Sequence, residues 1–154
     1  VSEISIREAK QSDINVLSEF LQGIVSTERP MDACLQDEYI EYYDPASFIE
    51  DEKSMLLVAV INNAPVACGA AIIKPSKHYH KHNEHLYLAM MYVTPEHRGK
   101  GINGLIIEKL IAWGEQRAVT TCVLTVYPDN PGAIKAYKKL GFEPSLVEMR
   151  RRPN

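Results

Sequence analysis

No stretch of this chain reaches the roughly 20 consecutive apolar residues that a membrane-spanning helix needs. Its N-terminus has no basic segment leading into an apolar one, so no secretory signal is expected. Cysteine is scarce: Cys34, Cys68 and Cys122 are odd in number and scattered, with no Cys-x-x-Cys pair. This argues against a disulfide framework and fits a reducing cytoplasm, with the thiols as small core fillers. Positive charge is not in excess either. Lys and Arg total 17 against 20 Asp and Glu, for a net charge of −3. A general nucleic-acid binder is thereby excluded. Repeats, low-complexity tracts and linkers are absent. What remains is 154 residues, 45% apolar and 24% charged, which is the composition of a single globular domain spanning 1–154.

Local patterns predict a mixed α/β fold. Ile4–Arg7 reads as a first strand. Ser12 would cap a helix carrying Ile14, Leu17, Leu21 and Ile24 at helical spacing, broken at Thr27–Pro30. Residues 32–43 look helical, and Asp44-Pro45 starts a short helix through Ile49. Met55–Ile61 and Pro65–Ile73 form a hairpin about Asn62-Asn63. A polar loop, Lys74–Glu84, precedes a strand at Leu86–Val93. Thr121–Val126 is a further strand, and Pro131–Leu140 a helix capped by Asn130 or Asp129 and ended by Gly141. Glu148–Arg151 would be a last edge strand.

The most informative stretch is 85–104. The apolar strand ends at Thr94-Pro95, a basic glycine-rich turn follows (Arg98–Gly104), and an apolar helix starts at Leu105. Such a turn offers backbone N–H groups and a helix dipole to a phosphate, and Arg98 and Lys100 add positive charge. A P-loop would need Lys-Ser or Lys-Thr after the glycines, and neither is present. Gly99, Gly101 and Gly104 match Gly-x-Gly-x-x-Gly literally. However, five residues separate them from the strand, and too little chain follows for two mononucleotide-binding halves.

Val93-Thr-Pro-Glu-His-Arg98-Gly-Lys-Gly101-Ile-Asn103 resembles the acyl-CoA pyrophosphate loop of the GCN5-related N-acetyltransferases (GNAT), whose pattern is Val-x-Pro-x-x-Arg-Gly-x-Gly-x-Gly/Ala. A second block, from Val126 through Asn130, Ala133-Ile134 and Tyr137 to Gly141-Phe142, resembles that family's second pattern. Asn103 departs from it, standing where Gly or Ala is usual. The resemblance implies a single-domain GNAT-like fold: a mixed central sheet with two splayed strands, flanked by helices. It implies acetyl-CoA as cosubstrate, with no metal. Pantetheine would bond Met91 and Val93 main-chain groups on one side and Asn130 on the other. The pyrophosphate would sit in Arg98, Gly99, Lys100, Gly101, Asn103 and Gly104. Tyr137 would protonate the departing thiolate, and the Met91 N–H would face the oxyanion.

The general base is open. Relatives often carry a carboxylate just ahead of the Val-x-Pro turn, but Ala89 and Met90 stand there. Glu84, His85 and Tyr87 are the nearby candidates, or a base elsewhere acting through water. The run His78, His80, His82, His85 reads as a solvated loop rather than a metal site. Residues 28–52 carry Glu28, Asp32, Asp37, Glu38, Glu41, Asp44, Glu50, Asp51 and Glu52 against a single basic residue, Arg29. This is either a rim that attracts a cationic amine or an ordinary solvated surface. Tyr39 and Tyr43 there are expected to fill core. The activity implied is acetyl transfer to a primary amine of a small molecule or peptide, with no nucleic-acid or membrane partner and, by analogy, a homodimer. A catalytically weak acyl-CoA-binding sensor of the same fold is the alternative. A third reading keeps the enzyme with a longer acyl group, admitted by Met90 and Met91, or a hydroxyl acceptor.

Overall fold

Asn62 and Asn63 both adopt left-handed backbone, φ 50° and 63°, which Asn tolerates better than most residues. They close the tight hairpin between β2 (Ser54–Ile61) and β3 (Ala64–Pro75). The computed structural model describes residues 3–153. Around this hairpin it places β1 (Ile4–Glu8), α1 (Ile14–Glu28), α2 (Pro45–Glu50), β4 (Glu84–Val93), α3 (Ile102–Glu115), β5 (Cys122–Val123) and α4 (Pro131–Lys139). The sheet order is β1-β2-β3-β4-β5. The first four strands pair antiparallel, and β5 runs parallel to β4.

The central strands β2 and β3 are buried for most of their length, because helices cover both faces. On one face α3 sets Ile106, Ile107 and Leu110 against Leu57, Ala71 and Leu86. On the other, α1 sets Leu17, Phe20 and Leu21, and α2 sets Phe48, against Val58, Cys68 and Met90. Each such Leu or Phe contributes roughly 1.5–3 kcal/mol of burial. No helix among the described residues is long and apolar enough to cross a membrane.

The parallel pair β4–β5 is joined only at Leu86↔Cys122 and Tyr87↔Val123. Beyond Tyr87 the strands part, which is the expected splay. The strand expected over Thr121–Val126 shrinks to two residues for the same reason.

Other expectations fail for identifiable causes. Residues 32–43 are not a helix. Arg29 donates to the carbonyls of Gln36 and Glu38, Gln22 donates to that of Ile40, and the Asp32 carboxylate accepts from the Cys34 N–H. Side chains thus hold the backbone in an irregular course. Tyr39 is 67% exposed rather than core, whereas Tyr43 does stack on Phe48 at 5.5 Å. Cys34 is exposed too. Ser12 lies inside a 3-10 turn, Gln11–Asp13, that precedes α1, so it is not the cap. Glu148–Arg151 forms no strand. A two-residue β5 offers no edge long enough to receive it, and Arg150 reaches to Asp32 instead.

Candidate active site

The site begins with an extra residue in β4. Cys68 pairs with Tyr92 and Ala70 with Ala89, so two steps on β3 oppose three on β4. The bulge falls at Met90, whose φ is +54°. Left-handed backbone costs a non-glycine residue about 1–3 kcal/mol, and three features over-determine it here. The Met90 side chain is 3% exposed, among the α1-side core. Its carbonyl accepts the Cys68 S–H at 3.2 Å. The next side chain, Met91, lies over Gly69, where a Cβ would stand 2.6 Å from Met91 Cε and 2.7 Å from Ile106 Cγ2. Because β5 stops pairing at Tyr87, the edge of β4 from Leu88 to Val93 is left without a neighbouring strand. It is available to an extended ligand as an added strand would be. Met91 and Val93 lie on this edge.

The turn after β4 opens onto the same space. A 3-10 turn, Pro95–His97, leads to Arg98. Gly99 and Gly101 follow at φ 77° and 78°, and a Cβ on either would meet nothing within 4 Å. Gly101 is the N-cap of α3 and supplies no side-chain cap. The first N–H groups of a 14-residue helix therefore face open space, as an anion site requires. Lys100 is exposed beside them. Arg98 folds back: its Nε donates to the Val93 carbonyl at 2.9 Å, and its guanidinium lies 5.5 Å from the Tyr92 ring centroid. It braces the turn while taking up one lone pair of the Val93 carbonyl.

Helix α4 supplies the opposite wall. Asn130 caps it, accepting the Ala133 N–H on Oδ1 at 3.2 Å, so its amide N–H₂ stays available. A Cβ on Gly104 would lie 3.5 Å from Leu140 Cδ2. The start of α3 and the end of α4 are therefore in contact, and Asn103 comes beside the Tyr137 hydroxyl. Asn103 Oδ1 is buried without a partner, an acceptor that an amide N–H of a bound ligand would satisfy. The Tyr137 ring meets Phe142 at 6.0 Å. Burial pushes the Tyr137 phenol up, the Asn103 amide offsets part of this, and the charge of Glu28 raises it further. The group keeps its proton at neutral pH.

Two carboxylates follow, Glu28 at the last position of α1 and Asp32 just past the 3-10 turn Arg29–Met31. Asp32 accepts the Tyr127 hydroxyl at 2.6 Å, Arg150 Nη1 at 2.7 Å and the Cys34 N–H at 2.9 Å. The hydrogen bonds from Tyr127, Arg150 and Cys34 hold its carboxyl at about 2. Burial and the Asp32 charge push Tyr127 up. Glu28 is different. Half-buried, it is raised by desolvation and by Asp32, and the Tyr42 hydroxyl lowers it only in part. That hydroxyl is itself buried without a well-formed hydrogen bond.

Of the candidates from the start of β4, Glu84 and His85 are not brought here, whereas Tyr87 lies beside Tyr43. Glu84 pairs with Lys53 at 3.4 Å and lies six residues before Met90, about 20 Å along the strand. His85 and His82 share the Ser76 hydroxyl, and Tyr87 bonds Thr125 at 3.1 Å. Among the described residues no three His, Cys, Asp or Glu side chains converge on a metal position. Sequence reasoning named Glu28 and Asp32 only as members of an acidic run, and passed over Tyr127. A signal for Glu28 was present, since it continues the stripe of Leu17, Leu21 and Val25, all buried. A carboxylate on an apolar stripe is there for a reason.

The model of the Acetyltransferase (GNAT) family matches residues 21–142. The chain is similar to the thialysine N-epsilon-acetyltransferase of Bos taurus, 29% identical over 145 residues that cover 91% of this chain and 84% of that protein. It is 40% identical over 57 residues to an uncharacterised N-acetyltransferase of Methanocaldococcus jannaschii, a match to 37% of this chain and 25% of that longer relative. Its fold is that of a predicted acetyltransferase with acetyl-CoA from Clostridium acetobutylicum, with TM-score 0.76, 20% identity and 96% of each chain covered. The family match runs from the middle of α1 to Phe142 and so takes in the bulged strand, the glycine turn and α4, and the chain belongs to the Acetyltransferase (GNAT) family.

Proposed function

We propose that this N-acetyltransferase moves an acetyl group from acetyl-CoA directly to a primary amine, carried by a cationic small molecule or by a peptide. The observation that carries the reading is the meeting of three features at the C-terminal end of β4: an unpaired strand edge, an uncapped helix N-terminus and a protonated phenol. Together they suit an extended arm ending in a pyrophosphate at one side and a thiolate leaving group at the other. Pantetheine would run along Met91 and Val93, with the Asn130 amide across from it. The pyrophosphate would lie against Gly99, Lys100, Gly101, Asn103 and Gly104, with Arg98 bracing the turn. Asn103 Oδ1, unpartnered in the protein alone, would accept from a pantetheine amide.

The neutral amine attacks the thioester carbonyl, the C–N bond forms, and the oxyanion is held by the Met91 N–H. The C–S bond then breaks, and Tyr137 gives its proton to the sulfur. A cationic acceptor is supported by the acidic segment 28–52, whose one basic residue, Arg29, is taken up by backbone carbonyls, and by the likeness to the bovine thialysine enzyme.

The test is free-thiol release from acetyl-CoA against thialysine, polyamines, aminoglycosides, amino acids and short peptides. Turnover with one amine class is expected. CoA binding with no turnover on any amine would leave an acyl-CoA-binding module instead.

A further inference from the structure

The geometry points to Glu28 as the catalytic base that takes the proton from the incoming ammonium, replacing the strand carboxylate that Ala89 and Met90 cannot supply. This rests on the acetyl-transfer reading above. Of the nine acidic residues in 28–52, those with a visible task are committed to it. Asp32 is neutralised by Arg150 and held by Tyr127. Asp44 caps α2 through the Ala46 N–H, and Asp51 accepts from the Lys53 N–H. Glu28 has no cationic partner among the described residues. It sits at the last position of α1, in line with the buried stripe.

Its charge is felt on two sides. From the segment after α1 it reaches Tyr42 and Tyr43, beside Asp32, whose charge in turn raises Glu28; from the approach to α4 it reaches Tyr127, and from α4 itself Tyr137. Arg150 reaches in only as far as Asp32. From β4, Met90 and Tyr92 face the α1 side. Gly23, five residues before Glu28 on α1, packs against the Tyr92 ring of β4, where a Cβ would stand 2.5 Å from Cζ. The Asp32 N–H bonds the Glu28 carbonyl at 3.1 Å while its carboxylate takes the Tyr127 hydroxyl, so the end of α1 lies between the open end of β4 and the approach to α4. The Tyr42 hydroxyl lies beside Glu28 and lowers it in part, so an ammonium entering there meets one carboxylate and one phenol oxygen.

The environments also separate the two roles. Desolvation raises the Glu28 carboxyl above the ordinary carboxylate value, and its charge helps keep Tyr137 protonated. Both are raised, the carboxyl from a low value and the phenol from a high one, so the carboxylate is the group that can take a proton and the phenol the one that can give it. The protons balance. Of the three on the ammonium, one goes to Glu28 and then to solvent, one ends on the CoA sulfur through Tyr137, and one stays on the amide.

The test is the pH profile of kcat/KM for wild type and Glu28→Gln, with the amine of the panel that wild type turns over fastest. Wild type should show a plateau above the Glu28 pKa. Glu28→Gln should fall about 100-fold at pH 7 and climb tenfold per pH unit toward the amine's own pKa, near 10.4 for a lysine-like amine. Glu28→Asp should retain the plateau at a reduced rate, and unchanged CoA affinity shows that each variant is folded. A Glu28→Gln enzyme with the wild-type profile, or with only a raised KM, would overturn the base while leaving the acetyltransferase reading intact. Wild type inactive on every amine would overturn that reading, and the base with it. Should Glu28→Gln fail to bind CoA, the Glu28→Asp profile decides: loss of the plateau overturns the proposal.

Discussion

The Tyr127 hydroxyl donates to the Asp32 carboxylate at 2.6 Å across 95 residues of sequence, and Arg150 meets the other oxygen of the same group at 2.7 Å. The end of α1, the approach to α4 and the C-terminal segment are thereby tied at one buried anion. Its pKa, about 2 against 3.8 in the unfolded chain, carries a sign. A depressed carboxylate stabilises the fold fully above its unfolded value, and that contribution is lost as pH falls through the folded one. The denaturation midpoint should therefore drop between about pH 4 and 2. Asp32→Asn should flatten that part of the profile, and an identical slope in both proteins would remove the anion from the account.

Gly69→Ala tests the bulge. The new Cβ would overlap both Met91 Cε and Ile106 Cγ2. The Met thioether can swing aside, but Ile106, fully buried, cannot. Overpacking of this kind costs about 1–3 kcal/mol, readable in urea denaturation. Turnover should fall with it, because Met91 lines the β4 edge.

Arg98→Ala removes a charged donor from the Val93 carbonyl and a cation from the Tyr92 face. With the turn no longer braced, CoA should bind more weakly by calorimetry, about tenfold for each 1.4 kcal/mol lost. Gly101→Val, a β-branched residue at φ 78°, should weaken CoA binding too, by strain and by crowding the approach. Wild-type affinity in both variants would remove the phosphate turn.

Tyr137→Phe leaves the packing on Phe142 in place and deletes one hydroxyl. Turnover is expected to fall about 100-fold, the lower end for a lost acid, with CoA affinity nearly unchanged. An equal rate would reduce Tyr137 to a packing residue.

What the sequence discloses here is what neighbours along the chain decide. The Asn62-Asn63 hairpin, the Asp44 cap on α2 and the Asn130 cap on α4 each follow from a few adjacent residues. The glycine turn is equally local. The larger failures are decided by residues outside the segment concerned. Residues 32–43 lose their helix to Gln22 on α1 and to Arg29 just past its end. Glu148–Arg151 loses its strand because β5 pairs for only two residues. The base was sought near the turn because relatives keep it there. Glu28 emerges only once α1 is folded against the sheet and Tyr42, Tyr127 and Tyr137 are seen to surround it.

Acetyl transfer to an amine through Tyr137 is open to direct measurement. The measurement that meets it most directly is acetyl-CoA-dependent thiol release, with wild type and Tyr137→Phe run side by side over the amine panel. Turnover should be confined to one amine class and reduced about 100-fold in the variant. Tight CoA binding with no thiol release on any amine would contradict it.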